Sequence, residues 1–440
     1  MFPKWLLCLS LVLQAAVVAA DSSPPSTAEK NPLTLALALR QAESANPSLA
    51  AIRARYQALK AVPPQAGSLP DPVVSFNALN LPVDTFDIPQ EAMTQLQFGI
   101  SQALPFPGKL KLKEEAAEWE ARAAGDDVAE WRLRLLRDVA VLWWRVFYLD
   151  RALEIIAANQ DLLRQFVEIA QTKYKVGQGL QQDVLLAQLE LSRLLDQELQ
   201  LIGLRAQDAA QLNALLDYPA NASLLLPRQA DRNLPESPPE AELFVIAQQS
   251  RPLLARIDKQ IRAARSRVKL AKKDFLPDFK VGAFHGFRSG QNPNGTSRPD
   301  FLTLKLSMNV PLYFATKQAK AVDQRQSELL SDQFQWQDTW NRVRSEISAT
   351  LADYHRARNQ VVLFDKGIIP QARQTVASML AGYQVNKVDF LNLVRSQLTL
   401  YNYEIQYWKT LAEARQSLAK LKAAVGKPVI TEEKGTLDAN

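Results

Sequence analysis

Two stretches of the chain alternate apolar and polar residues strictly, and two longer ones carry apolar residues at spacings of three and four. From Gln95 to Ser101, Leu96, Phe98 and Ile100 share one face, with Gln95, Gln97, Gly99 and Ser101 on the other. From Leu302 to Val310, Leu302, Leu304, Leu306, Met308 and Val310 alternate with Thr303, Lys305, Ser307 and Asn309. A period of two over about nine or ten residues predicts strands with one apolar and one polar face. With their partners, strands are expected at about 73–81, 94–104, 279–288 and 301–310. Pro, Asp, Asn and Gly in 82–93 and 289–300 mark those connections as surface loops. Val128, Trp131, Leu135, Val139, Leu142, Val146, Leu149, Leu153 and Ile156 form one heptad-like seam; Trp336, Trp340, Val343, Ile347, Leu351, Tyr354, Val361, Phe364 and Ile368 form the other. They predict long helices at about 112–174 and 315–382, packed with coiled-coil geometry and followed by second helices at about 181–216 and 389–424. A helix of about 60 residues is roughly 90 Å long, which suits a rod or a wall.

The two sets are copies of one another. Asn46-Pro47-Ser48-Leu49 recurs as Arg251-Pro252-Leu253-Leu254, and Leu69-Pro70-Asp71 as Leu276-Pro277-Asp278. Ile100 to Pro105 returns as Leu306 to Pro311, Tyr174-Lys175-Val176-Gly177 as Tyr383-Gln384-Val385-Asn386, and Ala187 to Leu191 as Ser396 to Leu400. The order is kept and the offset drifts only from 205 to 209 residues. Self-similarity at this period divides the chain into repeat 1 (21–217), a proline-rich linker (218–239), repeat 2 (240–426) and a polar tail (427–440). Gly177 and Gly179 are expected to reverse the first helical hairpin, and Asn386 takes the first glycine's place in the second.

Residues 1–20 read as a secretory signal peptide: Lys4, an apolar run from Trp5 to Val18, then Ala19-Ala20. Its removal takes away Cys8, the single cysteine, so neither disulfides nor thiolate metal sites are expected in the mature chain. Acylation at Cys8 is disfavoured by the large Leu7 before it. Export also argues against a nucleic-acid partner, despite a net charge of +6 and a basic cluster between Arg251 and Lys273 spread around a helix. The two histidines, His285 and His355, are far apart, and with no paired His and carboxylate motif, phosphate loop or metal-ligand spacing, neither an enzyme nor a cofactor or metal site is expected. The tryptophans at 143, 144, 336 and 340 fit interhelical packing.

After residue 20 no run approaches the ~20 apolar residues of a membrane helix, so any membrane crossing must use strands. Gln95, Gln97, Ser101, Thr303, Lys305, Ser307 and Asn309 would then line a polar lumen while the leucines face lipid. A small soluble hairpin packed on a helix is the alternative. Four strands cannot close a barrel, an open edge has no partners in hydrocarbon, and the smallest membrane barrels have eight strands. More than one chain must therefore contribute.

The Asn46-Pro47 helix opening, the Leu69-Pro70-Asp71 strand entry, the strand exits at Pro105 and Pro311, and Tyr174 to Gly177 followed by Asp183 to Gln188 together resemble the TolC-like outer-membrane efflux proteins. The resemblance covers nearly the whole mature chain. It implies a mainly α fold with membrane β structure: a homotrimer whose 12-stranded β-barrel continues as a long α-helical barrel, working with a periplasmic adaptor and an inner-membrane pump of the resistance-nodulation-division type. It also places the two helix reversals at a periplasmic gate, with Asp183 where such proteins often carry an acid. Asp183 would equally suit the start of the second helix, where a carboxylate is favoured by the helix dipole. In repeat 2 the matching position is Asn392, with Arg395 one turn on and Asp389 nearby as a possible substitute acid.

The function this implies is a passive outer-membrane duct extending into the periplasm. Residues 69–109, with Asn80-Leu81-Pro82-Val83-Asp84, resemble members serving heavy-metal efflux; drug efflux and type I protein secretion stay open. The runner-up is a periplasmic coiled-coil scaffold or tether, which explains the helices and leaves the strands unexplained.

Overall fold

A computed structural model describes residues 32–385 and 387–427. The signal peptide (1–20), Asn386 and the tail from 428 to 440 lie outside the described residues. In chain order the elements are α1 (Leu35–Ala45), α2 (Pro47–Lys60), α3 (Val62–Gly67), β1 (Val73–Leu79), β2 (Gln95–Leu104), α4 (Lys109–Lys175) and α5 (Gln181–Leu215). They continue as α6 (Glu240–Ser250), α7 (Pro252–Lys273), β3 (Phe279–Phe287), β4 (Phe301–Met308), α8 (Gln318–Leu363), α9 (Ile369–Gln384) and α10 (Phe390–Val425).

The four strands form one antiparallel sheet in sequence order, so β2 of the first half pairs with β3 of the second. Ile100 lies between Val74 and Ala283, and Ala283 opposite Leu304, which carries one apolar row across all four strands. On the other face Ser75, Gly99, Phe284 and Thr303 form the matching row. Both outer edges, of β1 and of β4, lack a strand partner within the chain.

Nearer the sheet α4 packs on α7 and α7 on α8, with α2 and α3 also against α4. Farther along, α5 packs on α4, α4 on α10, and α10 on α8 and α9, leaving α5 and the α8–α9 rod at the margins of that half. Leu185, Leu189, Leu199 and Ile202 stand exposed on α5, as do Leu330, Phe334, Val362 and Leu363 on α8. α4 has 67 residues, or about 100 Å of rod. The aromatic centre of the layer is Trp143, stacked on Phe147 with ring centroids 5.4 Å apart, while its indole donates to the Leu33 carbonyl at 2.9 Å. Trp336 and Trp340 also pack, Trp340 edge-on against Phe244.

One uninterrupted helix over 315–382 is not what forms. Residues 364–368 make a π turn in which the Ile369 N–H bonds the Phe364 carbonyl. Pro370 explains it: proline has no N–H and its ring clashes with the carbonyl four residues back, and the wider turn relieves that clash while the rod continues as α9. The linker packs against the helices. Leu224 and Leu226 are buried against the α4 core, Arg151 donates to the Arg228 carbonyl at 2.9 Å, and Arg415 pairs with Asp231 at 2.6 Å. It straps the helical layer.

The repeated Asn46-Pro47 and Arg251-Pro252 steps share a task. Each proline sits in the first turn of its helix, where a missing N–H costs nothing. Asn46 caps α2 through Leu49 N (3.0 Å) and donates to the Leu215 carbonyl at the end of α5 (3.0 Å). Arg251 reaches the corresponding end of α10, donating to the Ala423 carbonyl, and also holds Glu130 at 2.9 Å. Both side chains pin the return of a long helix beside the start of a short one.

Candidate functional site

The sheet is apolar on one face and polar on the other. Leu302, Leu304 and Leu306 are 71%, 76% and 72% exposed, whereas Gln95, Gln97 and Ser101 are 7%, 7% and 8% exposed. Phe76 and Phe98 pack on each other at 4.8 Å and are both open on the apolar side. A water-soluble sheet buries the opposite face, so this arrangement matches a hydrocarbon surroundings outside and a polar interior. Among the described residues no helix is long and apolar enough to cross a membrane.

At the far end of the helices, two hairpins meet. In the first, Gly177 has φ of +72°, the Gln178 N–H bonds the Lys173 carbonyl (2.8 Å) and the Gly177 N–H bonds the Tyr174 carbonyl (3.0 Å). Those two bonds make a Schellman cap, whose left-handed residue favours glycine. In the second hairpin the Lys387 N–H makes the equivalent bond to the Gly382 carbonyl at 2.9 Å. The copies trade a small residue across the turn. A Cβ on Gly179 would lie 2.9 Å from the Lys173 Cβ, and one on Gly382 would lie 2.6 Å from a methyl of Val388.

Lys173 joins the hairpins: its ammonium donates to the Tyr383 carbonyl at 3.1 Å and lies 4.0 Å from the Tyr383 ring centroid. Burial, with a smaller contribution from the Asp183 carboxylate, pushes the Tyr383 phenol above its ordinary pKa and keeps it neutral. A cleft of about 330 Å³ lies here, lined among others by Lys173, Gly179, Asp183, Tyr383 and Asp389.

Beyond this geometry, a family model for outer membrane efflux proteins matches residues 38–217 and 243–427. The chain belongs to the outer membrane efflux protein family. It is 23% identical over 337 residues to the outer membrane protein TolC of Vibrio cholerae, covering 74% of each chain. It is 21% identical over 406 residues to the cobalt-zinc-cadmium resistance protein CzcC of Cupriavidus metallidurans, covering 90% of each. The fold matches the outer membrane protein VceC of Vibrio cholerae with a TM-score of 0.75 at 18% identity, over 90% of this chain and 97% of that one.

In this family member the residues singled out from sequence separate into three groups. Gly179, Asp183 and Asp389 share the tip cleft, Gly177 forms the exposed bend beside it, and Asn386 lies outside the described residues. Asp183 stands in the first turn of α5 without making a side-chain capping bond, whereas Asp389 does cap α10, accepting from the Asn392 N–H at 2.8 Å. Asn392 and Arg395 are exposed on α10. Gln95, Gln97, Ser101, Thr303, Lys305 and Ser307 all occupy the polar face of the sheet. Asn309 lies past the end of β4, where its side chain and backbone clamp Asp278.

Three residues of the site were not among the candidates drawn from the sequence. Lys173 and Tyr383 bridge the tip, although the repeat aligns Tyr383 with Tyr174, which is 48% exposed where Tyr383 is 7% exposed. Lys109 is the third: buried, it joins the sheet to the helices by reaching Asp278 at 2.9 Å, Asp274 at 3.2 Å and the Leu276 carbonyl at 3.1 Å. Its partner Asp278 belongs to the repeated Leu-Pro-Asp motif, and that was the available signal.

Proposed function

We propose that three copies of this chain form the outer-membrane duct of a tripartite efflux system, receiving cargo from an inner-membrane pump of the resistance-nodulation-division type through a periplasmic adaptor. The observation carrying this reading is the two-faced sheet, with exposed leucines and phenylalanines along one face and Gln, Ser, Thr and Lys along the other. Two open edges on the sheet and two apolar margins on the helical layer give each copy a heterologous, head-to-tail surface. Such surfaces close as rings when the rotation from copy to copy closes. Three copies supply twelve strands and satisfy every edge against lipid. A periplasmic scaffold gains nothing from a lipid-facing strand row.

The cargo we favour is heavy-metal ions, in line with the likeness to CzcC, with drugs and type I secreted proteins as the other classes. A ring of Asp183 in the tip cleft, close to the Lys173 bridge, is the proposed gate, with Gly177, Gly179, Asn386 and Asp389 shaping its turns and Asn392 and Arg395 flanking it on α10. Deletion of the gene is expected to sensitise cells to cobalt, zinc or cadmium. Complementation with Asp183→Ala is expected to restore resistance while admitting large hydrophilic antibiotics that the wild-type protein excludes. Unchanged tolerance to metals, dyes and antibiotics in the deletion strain would count against the duct, and sensitivity to drugs alone would select the drug class.

A further inference from the structure

The lumen-side faces of the four strands can be read from the register. They carry Val73, Ser75, Asn77 and Leu79 on β1; Gln95, Gln97, Gly99, Ser101 and Ala103 on β2; Lys280, Gly282, Phe284 and Gly286 on β3; and Phe301, Thr303, Lys305 and Ser307 on β4. Two are lysines and none is a carboxylate. Lys280 lies opposite Ser307 and Lys305 opposite Gly282, so the lysines are diagonal neighbours on adjacent strands, about 7 to 8 Å apart. Both are exposed, and among the described residues no ion pair engages either.

The surrounding wall leaves their charge uncompensated. Phe284 lies across the trough that Gly99 and Gly282 leave open, where a Cβ on Gly99 would meet its ring at 1.9 Å. A small cavity of about 180 Å³ beside it is lined by Ser75, Asn77, Ser101 and both lysines, all neutral apart from the lysines themselves. The barrel therefore presents hydroxyls, amides and an aromatic plug around two cations per chain. At the tip the balance differs, since Asp183 and Asp389 share the cleft with Lys173.

We propose that Lys280 and Lys305 form an anion-favouring filter in the half of the barrel nearest the helices, in series with the acidic tip. The inference rests on the trimeric duct, in which three copies place six lysines in one band. Rings of fixed charge set ion selectivity in wide pores, and salt weakens them as the Debye length shrinks. The solutes such a band favours are anions, including acidic organic molecules and heavy-metal ions carried as anionic complexes, the form in which the proposed metal cargo would pass it.

The purified protein in planar bilayers under a KCl gradient tests this through its reversal potential. At about 0.1 M salt, the Lys280→Gln/Lys305→Gln protein is expected to lose at least about twofold in chloride-to-potassium permeability ratio, with a smaller loss near 1 M. Lys280→Arg/Lys305→Arg keeps the charge and should keep the wild-type ratio. Asp183→Ala should move the ratio the opposite way. Conducting channels whose ratio is the same in wild type and the double glutamine variant overturn the filter and leave the duct standing. A wild-type protein that never conducts overturns the duct, and the filter with it.

Discussion

Leu304→Arg is expected to abolish accumulation of folded protein in the outer membrane, although Leu304 is 76% exposed. On a water-facing strand such a change would be nearly neutral, because an exposed leucine gains nothing from staying apolar. On a lipid-facing strand an arginine near the bilayer midplane costs about 2 to 4 kcal/mol, or roughly 6 to 12 kcal/mol over three copies, comparable to the entire stability of a typical fold. Leu304 sits in the middle of β4, where that cost is greatest. Its neighbour Thr303 is also exposed but points to the lumen face, so Thr303→Arg is expected to accumulate normally. Membrane fractionation with a heat-modifiability gel reads both variants. Normal levels of Leu304→Arg would mean that the leucine row faces water.

Arg251→Ala is expected to lower stability by about 3 to 5 kcal/mol per chain, the range for breaking a buried ion pair. Arg251 and Glu130 are each 3% exposed at the side chain and lie 2.9 Å apart. Arg251 also supplies the hydrogen bond to the Ala423 carbonyl that holds the last turn of α10. Without it Glu130 keeps only Arg134, whose side chain is 45% exposed and solvated. Changing both partners, Arg251→Met with Glu130→Gln, removes the stranded charge and is expected to recover most of the loss, leaving the deficit of one unmade carbonyl bond. Thermal unfolding of the detergent-solubilised protein measures the series. A single variant within about 1 kcal/mol of wild type would show that the α10 return is held elsewhere.

How far the sequence foretold this differs from one feature to the next, for physical reasons. Alternation along 95–101 and 302–308 was legible because the strand period is two and the two faces differ in polarity, so every residue reports its side. Gly177 was legible because a left-handed cap restricts the residue that can fill it. The π turn at 364–368 was hidden by the seam running through Val361, Phe364 and Ile368, although Pro370 was in plain view. α3 was hidden too, since Val62-Pro63-Pro64 reads as a breaker until the prolines are seen to occupy its first turn. The five prolines between 219 and 239 marked a linker between the repeats but not its packing, in which Leu224 and Leu226 are buried. The Lys173 to Tyr383 bridge could not be read at all, because its partners are 210 residues apart and only the docking of two hairpins brings them together.

The central claim is that the apolar strand face meets lipid in a ring closed by three copies. The mass of the protein extracted from outer membranes in mild detergent, with bound detergent subtracted, tests it most directly. A mass of three chains, falling to that of one 49.2 kDa chain (less any segment removed on export) only after heating, is the predicted result. A single-chain mass without heating, recovered from the soluble periplasmic fraction, would contradict it.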